Sequence, residues 1–204
     1  MIAGLVAGLL AGYAVALPLG AIGSYLITLT ARSSLRVGTA AALGVAVTDG
    51  LYALLAVLGG TAAAAALAPL AGPLRWTAAA VLLVLAGRAL RTARTDAGSL
   101  HPVPQRRPIA VFGQFVALTA INPGTLISFT ALVIGARLGS TLPPSGRTLF
   151  VLGTFVASAS WQLCLAAAGV LLGRLLSRRA ALLGYCSAGL LAVLAIALVL
   201  RPVG

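Results

Sequence analysis

The sequence has no lysine, and its only acids are Asp49 and Asp96. Charged residues make up 8% of the 204 positions, against about 25% in an average soluble domain. A soluble chain of this length needs far more polar surface to cover its core. The sole histidine, His101, lies in a polar stretch. Serine proteolysis therefore lacks a base, and aspartyl intramembrane proteolysis needs two carboxylates where one buried acid stands. Cys164 and Cys186 lie in separate apolar runs without a CxxC pair, so the expectation is two small thiols packed against lipid or core, with a disulfide as the alternative. No catalytic residue, resident metal or cofactor is expected.

What the chain has in quantity is apolar sequence, 61% of it, and arginine, fourteen in all. Six spanning helices of about 22 residues would use about 132 positions, close to that apolar share. The formal charge of +12 comes without a basic helix face or an aromatic platform, so nucleic acid is not the expected partner. The arginines sit at the ends of apolar runs, where they meet lipid head groups and set topology. The first of them is Arg32. A secretory leader needs a basic start, so the first apolar segment is expected to stay as a spanning helix.

Apolar stretches of spanning length fall at about 2–30, 38–60, 75–92, 109–135, 148–173 and 180–200. The third is the weakest, because Arg75 and Arg88 must both snorkel to opposite interfaces. The polar stretch 91–108 forms a linker. It divides one transmembrane unit, 1–204, into repeat one (about 1–95) and repeat two (about 109–204). With the N-terminus outside, ten arginines fall in cytoplasmic loops and four outside, which places both termini outside. Three spans per half make the second half enter from the opposite side. The expected fold is thus an all-α polytopic membrane protein, six transmembrane helices in two inverted three-helix repeats.

Two spans carry interruptions. The first contains Pro18-Leu19-Gly20-Ala21, and the fourth contains Asn122-Pro123-Gly124. Proline removes a backbone hydrogen bond and clashes with the preceding turn, while Asn before Pro is a good N-cap for a restarting segment. Broken backbone at mid-membrane is tolerated only against protein or a cavity. Breaks in corresponding spans of two halves point to a transport site; a packing kink is the plainer alternative.

Asp49 lies in the middle of span two. A mid-membrane aspartate costs roughly 2.5–3.5 kcal/mol on insertion scales, so a role for it is expected; a helix-to-helix hydrogen bond with Thr48 or a serine is the structural alternative. Span five offers Ser158, Trp161 and Gln162, with Ser158 and Gln162 on one face. They can line the same cavity or act as interhelical glue. Gly4, Gly8 and Gly12 lie on one face of span one, letting another helix approach closely, within the bundle or in a homodimer.

These segments together resemble the lysine/homoserine exporter (LysE type) family of bacterial six-helix transporters. The resemblance rests on Pro18-Leu19-Gly20-Ala21, on Gly44 through Asp49-Gly50-Leu51-Tyr52, on Asn122-Pro123 leading into Phe129, and on Ala157 through Gln162. The family's usual Pro-Gly-Pro reads Pro18-Leu19-Gly20-Ala21 here. The resemblance implies efflux of amino acids or similar small polar metabolites across the inner membrane, driven by the proton gradient. Helix starts after Pro18 and Asn122 would bind a carboxylate, and Asp49 would hold the ammonium or the coupling proton. The competing readings are a divalent metal-ion exporter, which wants more oxygen or Cys/His ligands, and a non-transporting scaffold.

Overall fold

A computed structural model describes residues 2–18, 20–67, 69, 71–96, 107–122, 125, 128, 129, 143–175 and 180–200. Among these residues the structure is helical, without a strand. Seven helices follow in order: α1 (Ile2–Ala16), α2 (Ala21–Ala31), α3 (Leu35–Leu67), α4 (Ala71–Asp96), α5 (Pro108–Ala120), α6 (Pro144–Leu175) and α7 (Ala180–Leu200). His101 and Pro123 lie outside the described residues.

Two of these helices are long and apolar enough to cross a membrane, one over Leu35–Gly59 and the other over Pro144–Leu175. At 1.5 Å per residue, the 25 residues of the first reach about 37 Å, more than the hydrocarbon thickness of about 30 Å. The pair α1 and α2 is a third candidate, bent by 77° at its break. The cause is local. Pro18 has no N–H to give the ladder; α1 ends at Ala16, and Leu17 closes its last turn on the Tyr13 carbonyl at 2.8 Å. Gly20 is extended, with φ −90° and ψ −169°, before α2 begins.

Glycine decides how α1 packs. A Cβ on Gly4 would collide with the Gly146 carbonyl, one on Gly8 with the Phe150 carbonyl, and one on Gly12 with the Thr154 carbonyl, all on α6. Thr154 Oγ1 also donates to the Gly8 carbonyl at 3.2 Å. The stripe therefore seats α6 inside the bundle, the intramolecular choice of the two, and no longer argues for a homodimer. Cys164 and Cys186 are free thiols, both exposed.

The contacts also fix directions. Gly4, Gly8 and Gly12 meet Gly146, Phe150 and Thr154 in order, and Gly169 and Gly173 meet Ile27 and Ala31, so α1 and α2 both run in the same sense as α6. Thr48 Oγ1 donates to the Val116 carbonyl at 3.5 Å and Tyr52 to the Ala120 carbonyl at 2.7 Å, so α3 and α5 are parallel as well. Two contact sets repeat. Gly44 on α3 faces the Phe112 carbonyl, Phe115 and the Val116 amide; Gly153 on α6 faces the Leu5 carbonyl, Gly8 and the Leu9 amide.

Two apolar clusters fill the interior. The larger includes Leu26, Leu29, Val37, Ala41, Leu85, Val111, Phe115, Leu165 and Leu191. The smaller is Ala11, Ala53, Val57, Phe129 and Phe150. Arg32, Arg36, Arg107 and Arg174 all lie at the end of the larger cluster, and Arg88 and Arg91 follow its Leu85 and Ala86. Arg147 stands at the other end, beside the Gly4–Gly146 contact. Outward-facing leucines on α3, α4 and α7, such as Leu58, Leu83 and Leu190, give the apolar exterior that lipid requires.

Candidate functional site

The break between α1 and α2 is one wall of a cavity. In the ladder of α2 the first bond is Ser24 N–H to the Gly20 carbonyl, at 3.1 Å. The amides of Ala21, Ile22 and Gly23 therefore stand before the ladder begins. Gly20, as N-cap, has no side chain to satisfy them. Pro18, Gly20, Ile22 and Gly23 line the cavity, so this helix start presents amides and its positive dipole end on that side.

Asp49 lies on the wall contributed by α3 and is only 4% exposed. Ser158 on α6, fully buried, donates to Asp49 Oδ2 at 2.6 Å. That is the serine contact expected for a structural role, yet Asp49 reaches the cavity as well. Among the described residues no cation pairs with it, and none of its lining neighbours is basic.

Thr119, Asn122 and Thr125 form the opposite wall, where α5 ends. Asn122 donates from Nδ2 to Thr125 Oγ1 at 2.9 Å, a bond between two side chains. Tyr52, one turn along α3 from Asp49, holds the Ala120 carbonyl two residues before Asn122. Gln162 on α6 completes the lining, with Val15, Ala16, Val45 and Leu165 as its apolar part.

Of the eight residues singled out from the sequence, Pro18, Gly20, Asp49, Asn122 and Gln162 share this cavity, and Ser158 reaches it through Asp49. Trp161 is placed differently, half-buried against the larger apolar cluster. Sequence reasoning missed Thr119 and Thr125, three residues before and after Asn122; that helical spacing around the break was the available signal.

Two buried oxygens, Thr119 Oγ1 and Gln162 Oε1, have no hydrogen-bond partner among the described residues. A buried polar atom without a partner costs about 1–3 kcal/mol; both belong to cavity-lining residues. The cavity has a volume of about 60 Å³, room for a few waters or a very small polar solute and below the about 300–1,000 Å³ of drug-sized sites. No group of three His, Cys, Asp or Glu side chains that could hold a metal ion occurs among the described residues.

Searches against curated proteins and solved structures gave no match. The family comparison did: the LysE type translocator profile matches residues 13–201, a range that includes both breaks, Asp49 and the whole cavity wall. The chain belongs to the LysE type translocator family of membrane transporters.

Proposed function

We propose that this protein exports amino acids, or similarly small zwitterionic metabolites, across the bacterial inner membrane in exchange for protons. The observation that carries the reading is the cavity itself, which sets the amides at the start of α2 and the Asp49 carboxylate on one small polar space. A zwitterion needs both: donors for its carboxylate and an acceptor for its ammonium. Thr119 and Gln162 add neutral polar side chains to the same lining. A divalent cation would ask for more anionic oxygen than one carboxylate supplies.

Asp49 takes both duties in turn. Protonated, it is a neutral group that releases the ammonium; ionised, it recaptures one. Competition of a proton and a solute for one carboxylate is sufficient for antiport.

The scaffold of this mechanism is six spans in two inverted repeats, with both termini outside. Three facts support it. The parallel runs of α3 and α5 need an intervening segment to cross back, a role α4 fills. The contacts of Gly44 and Gly153 fall on corresponding residues: Phe112, Phe115 and Val116 lie 107 residues beyond Leu5, Gly8 and Leu9, and Gly153 lies 109 beyond Gly44. Asp49 and Ser158 are also 109 apart, so they occupy equivalent positions and their bond sits on the pseudo-two-fold axis. The arginine-rich end is then the cytoplasmic one.

Counterflow in liposomes tests the function. Purified protein, loaded with one unlabelled solute, is screened for uptake of labelled amino acids and divalent metals. Exchange of at least one amino acid is the expected result. Exchange of metals alone would establish the metal-exporter reading, and no exchange of either would leave a scaffold.

A further inference from the structure

The cavity is not symmetric about the Asp49–Ser158 bond, although the repeats around it are. On α3 and α6 it extends from that level toward the arginine-rich end only, along Val45, Gln162 and Leu165. Val45 and Leu165 belong to the larger cluster, and of the smaller cluster only Val15, packed against its buried residues, reaches the cavity. On the other side of the bond the smaller cluster is packed solid: Ala53 is 0% exposed, Phe150 1% and Phe129 3%. Phe129 is also stacked on Tyr52, with ring centroids 5.7 Å apart.

The repeat register links the two sides. Phe129 lies 107 residues after Ile22, the separation that relates Leu5 to Phe112. Ala53 lies 109 before Gln162, the separation of Asp49 from Ser158. Ile22 and Gln162 line the cavity, whereas their counterparts Phe129 and Ala53 are buried together in the plug. One half of the molecule thus shows the arrangement the other half would adopt on reversal.

From this we infer that Phe129 is the outer gate of the transporter, closed here against Ala53, Val57 and Phe150, and that Ile22 is the matching inner gate. The inference rests on the transporter reading above and adds the residues that alternate. In the reversed state the segment carrying Ile22 moves onto Gln162, hinged at Pro18–Gly20, while Phe129 leaves Ala53. Ile22 follows Pro18 by four residues and Phe129 follows Pro123 by six.

The test is labelling from either face of the membrane with a membrane-impermeant maleimide. The background carries Cys164→Ala and Cys186→Ala, with a single cysteine introduced as Gln162→Cys or Ala53→Cys. With Phe129 in place, Gln162→Cys is labelled from the arginine-rich face and Ala53→Cys is protected from both. Phe129→Ala raises labelling of Ala53→Cys from the opposite face by roughly tenfold or more, the shift expected when a closed state loses its plug. Phe129→Leu, which keeps most of the bulk, restores protection. Ile22→Phe gives a second arm that keeps the outer cluster intact: it slows labelling of Gln162→Cys by roughly tenfold. Labelling of Ala53→Cys as fast as Gln162→Cys with Phe129 present, or no response to either substitution in folded protein, overturns the assignment. Labelling needs no solute, so the expected pattern without amino acid exchange would fail the function and leave the gates standing.

Discussion

Ser158 and Asp49 face each other from α6 and α3, joined by a 2.6 Å hydrogen bond in which the serine donates. In the proposed repeat they are the same position occupied by two chemistries, a hydroxyl and a carboxylate. The pair ties the halves together at the level where the cavity begins. Its two members have separable roles, which substitution distinguishes.

Ser158→Ala removes the donor and leaves Asp49 Oδ2 without it, a loss of about 1–3 kcal/mol in a buried setting. Solute affinity, read as the half-saturating concentration in counterflow, should change several-fold. Ser158→Thr keeps the hydroxyl and should stay near wild type. An alanine variant with unchanged affinity would reduce the bond to packing.

The α1–α6 seam predicts a stability difference between two glycines. Gly8→Ala drives a methyl into the Phe150 carbonyl and should lower stability by about 1–3 kcal/mol, as overpacking does. Gly113, exposed on α5, has no atom near its added Cβ, so Gly113→Ala should raise stability by about 0.5–1 kcal/mol. Thermal unfolding in detergent reads both. Equal effects would mean the seam is not close-packed.

Asn122→Leu removes the side-chain bond to Thr125, worth about 0.5–1.5 kcal/mol. Transport should fall while the protein still inserts and elutes as a single species. Pro123→Ala, which permits a continuous helix, should act the same way. Wild-type rates in both folded variants would make the break a kink without function.

Much of this was readable before any coordinates. Asp49 was conspicuous because an acid in an apolar run is costly even where a serine bonds it, and Pro18 with Gly20 and Asn122 marked backbone breaks directly. Direction and partner were not readable. Gly4, Gly8 and Gly12 announce a close approach in their spacing, but only packing shows that Gly146, Phe150 and Thr154 receive them. Thr119 and Thr125 looked like ordinary helix threonines, since a hydroxyl becomes a site residue only when a cavity faces it. Trp161 shares a stretch with Ser158 and Gln162, yet one residue of helix turns it about 100° away and toward the larger cluster.

Topology is open to a simple reporter experiment. Arg32, Arg36, Arg88, Arg91, Arg107 and Arg174 gather at one end, with Arg147 at the other. A reporter fused after Gly98 should read cytoplasmic, and one after Gly204 external. Both on one side would remove the six-span inverted repeat.

The central claim, that one carboxylate serves proton and solute in turn, is tested most directly by Asp49→Asn in liposomes. The amide keeps the size and a hydrogen-bonding oxygen for Ser158 while fixing the group neutral. Two fluxes are measured on the same folded protein: accumulation driven by a pH gradient, and exchange between equal solute concentrations. The account predicts that gradient-driven accumulation disappears. Exchange falls with it, because Asp49 also holds the solute ammonium; exchange at the wild-type rate would leave Asp49 the proton alone and contradict the double duty. Retention of full gradient-driven accumulation would contradict the mechanism, because no other acid lies within the apolar stretches of this chain to carry the proton.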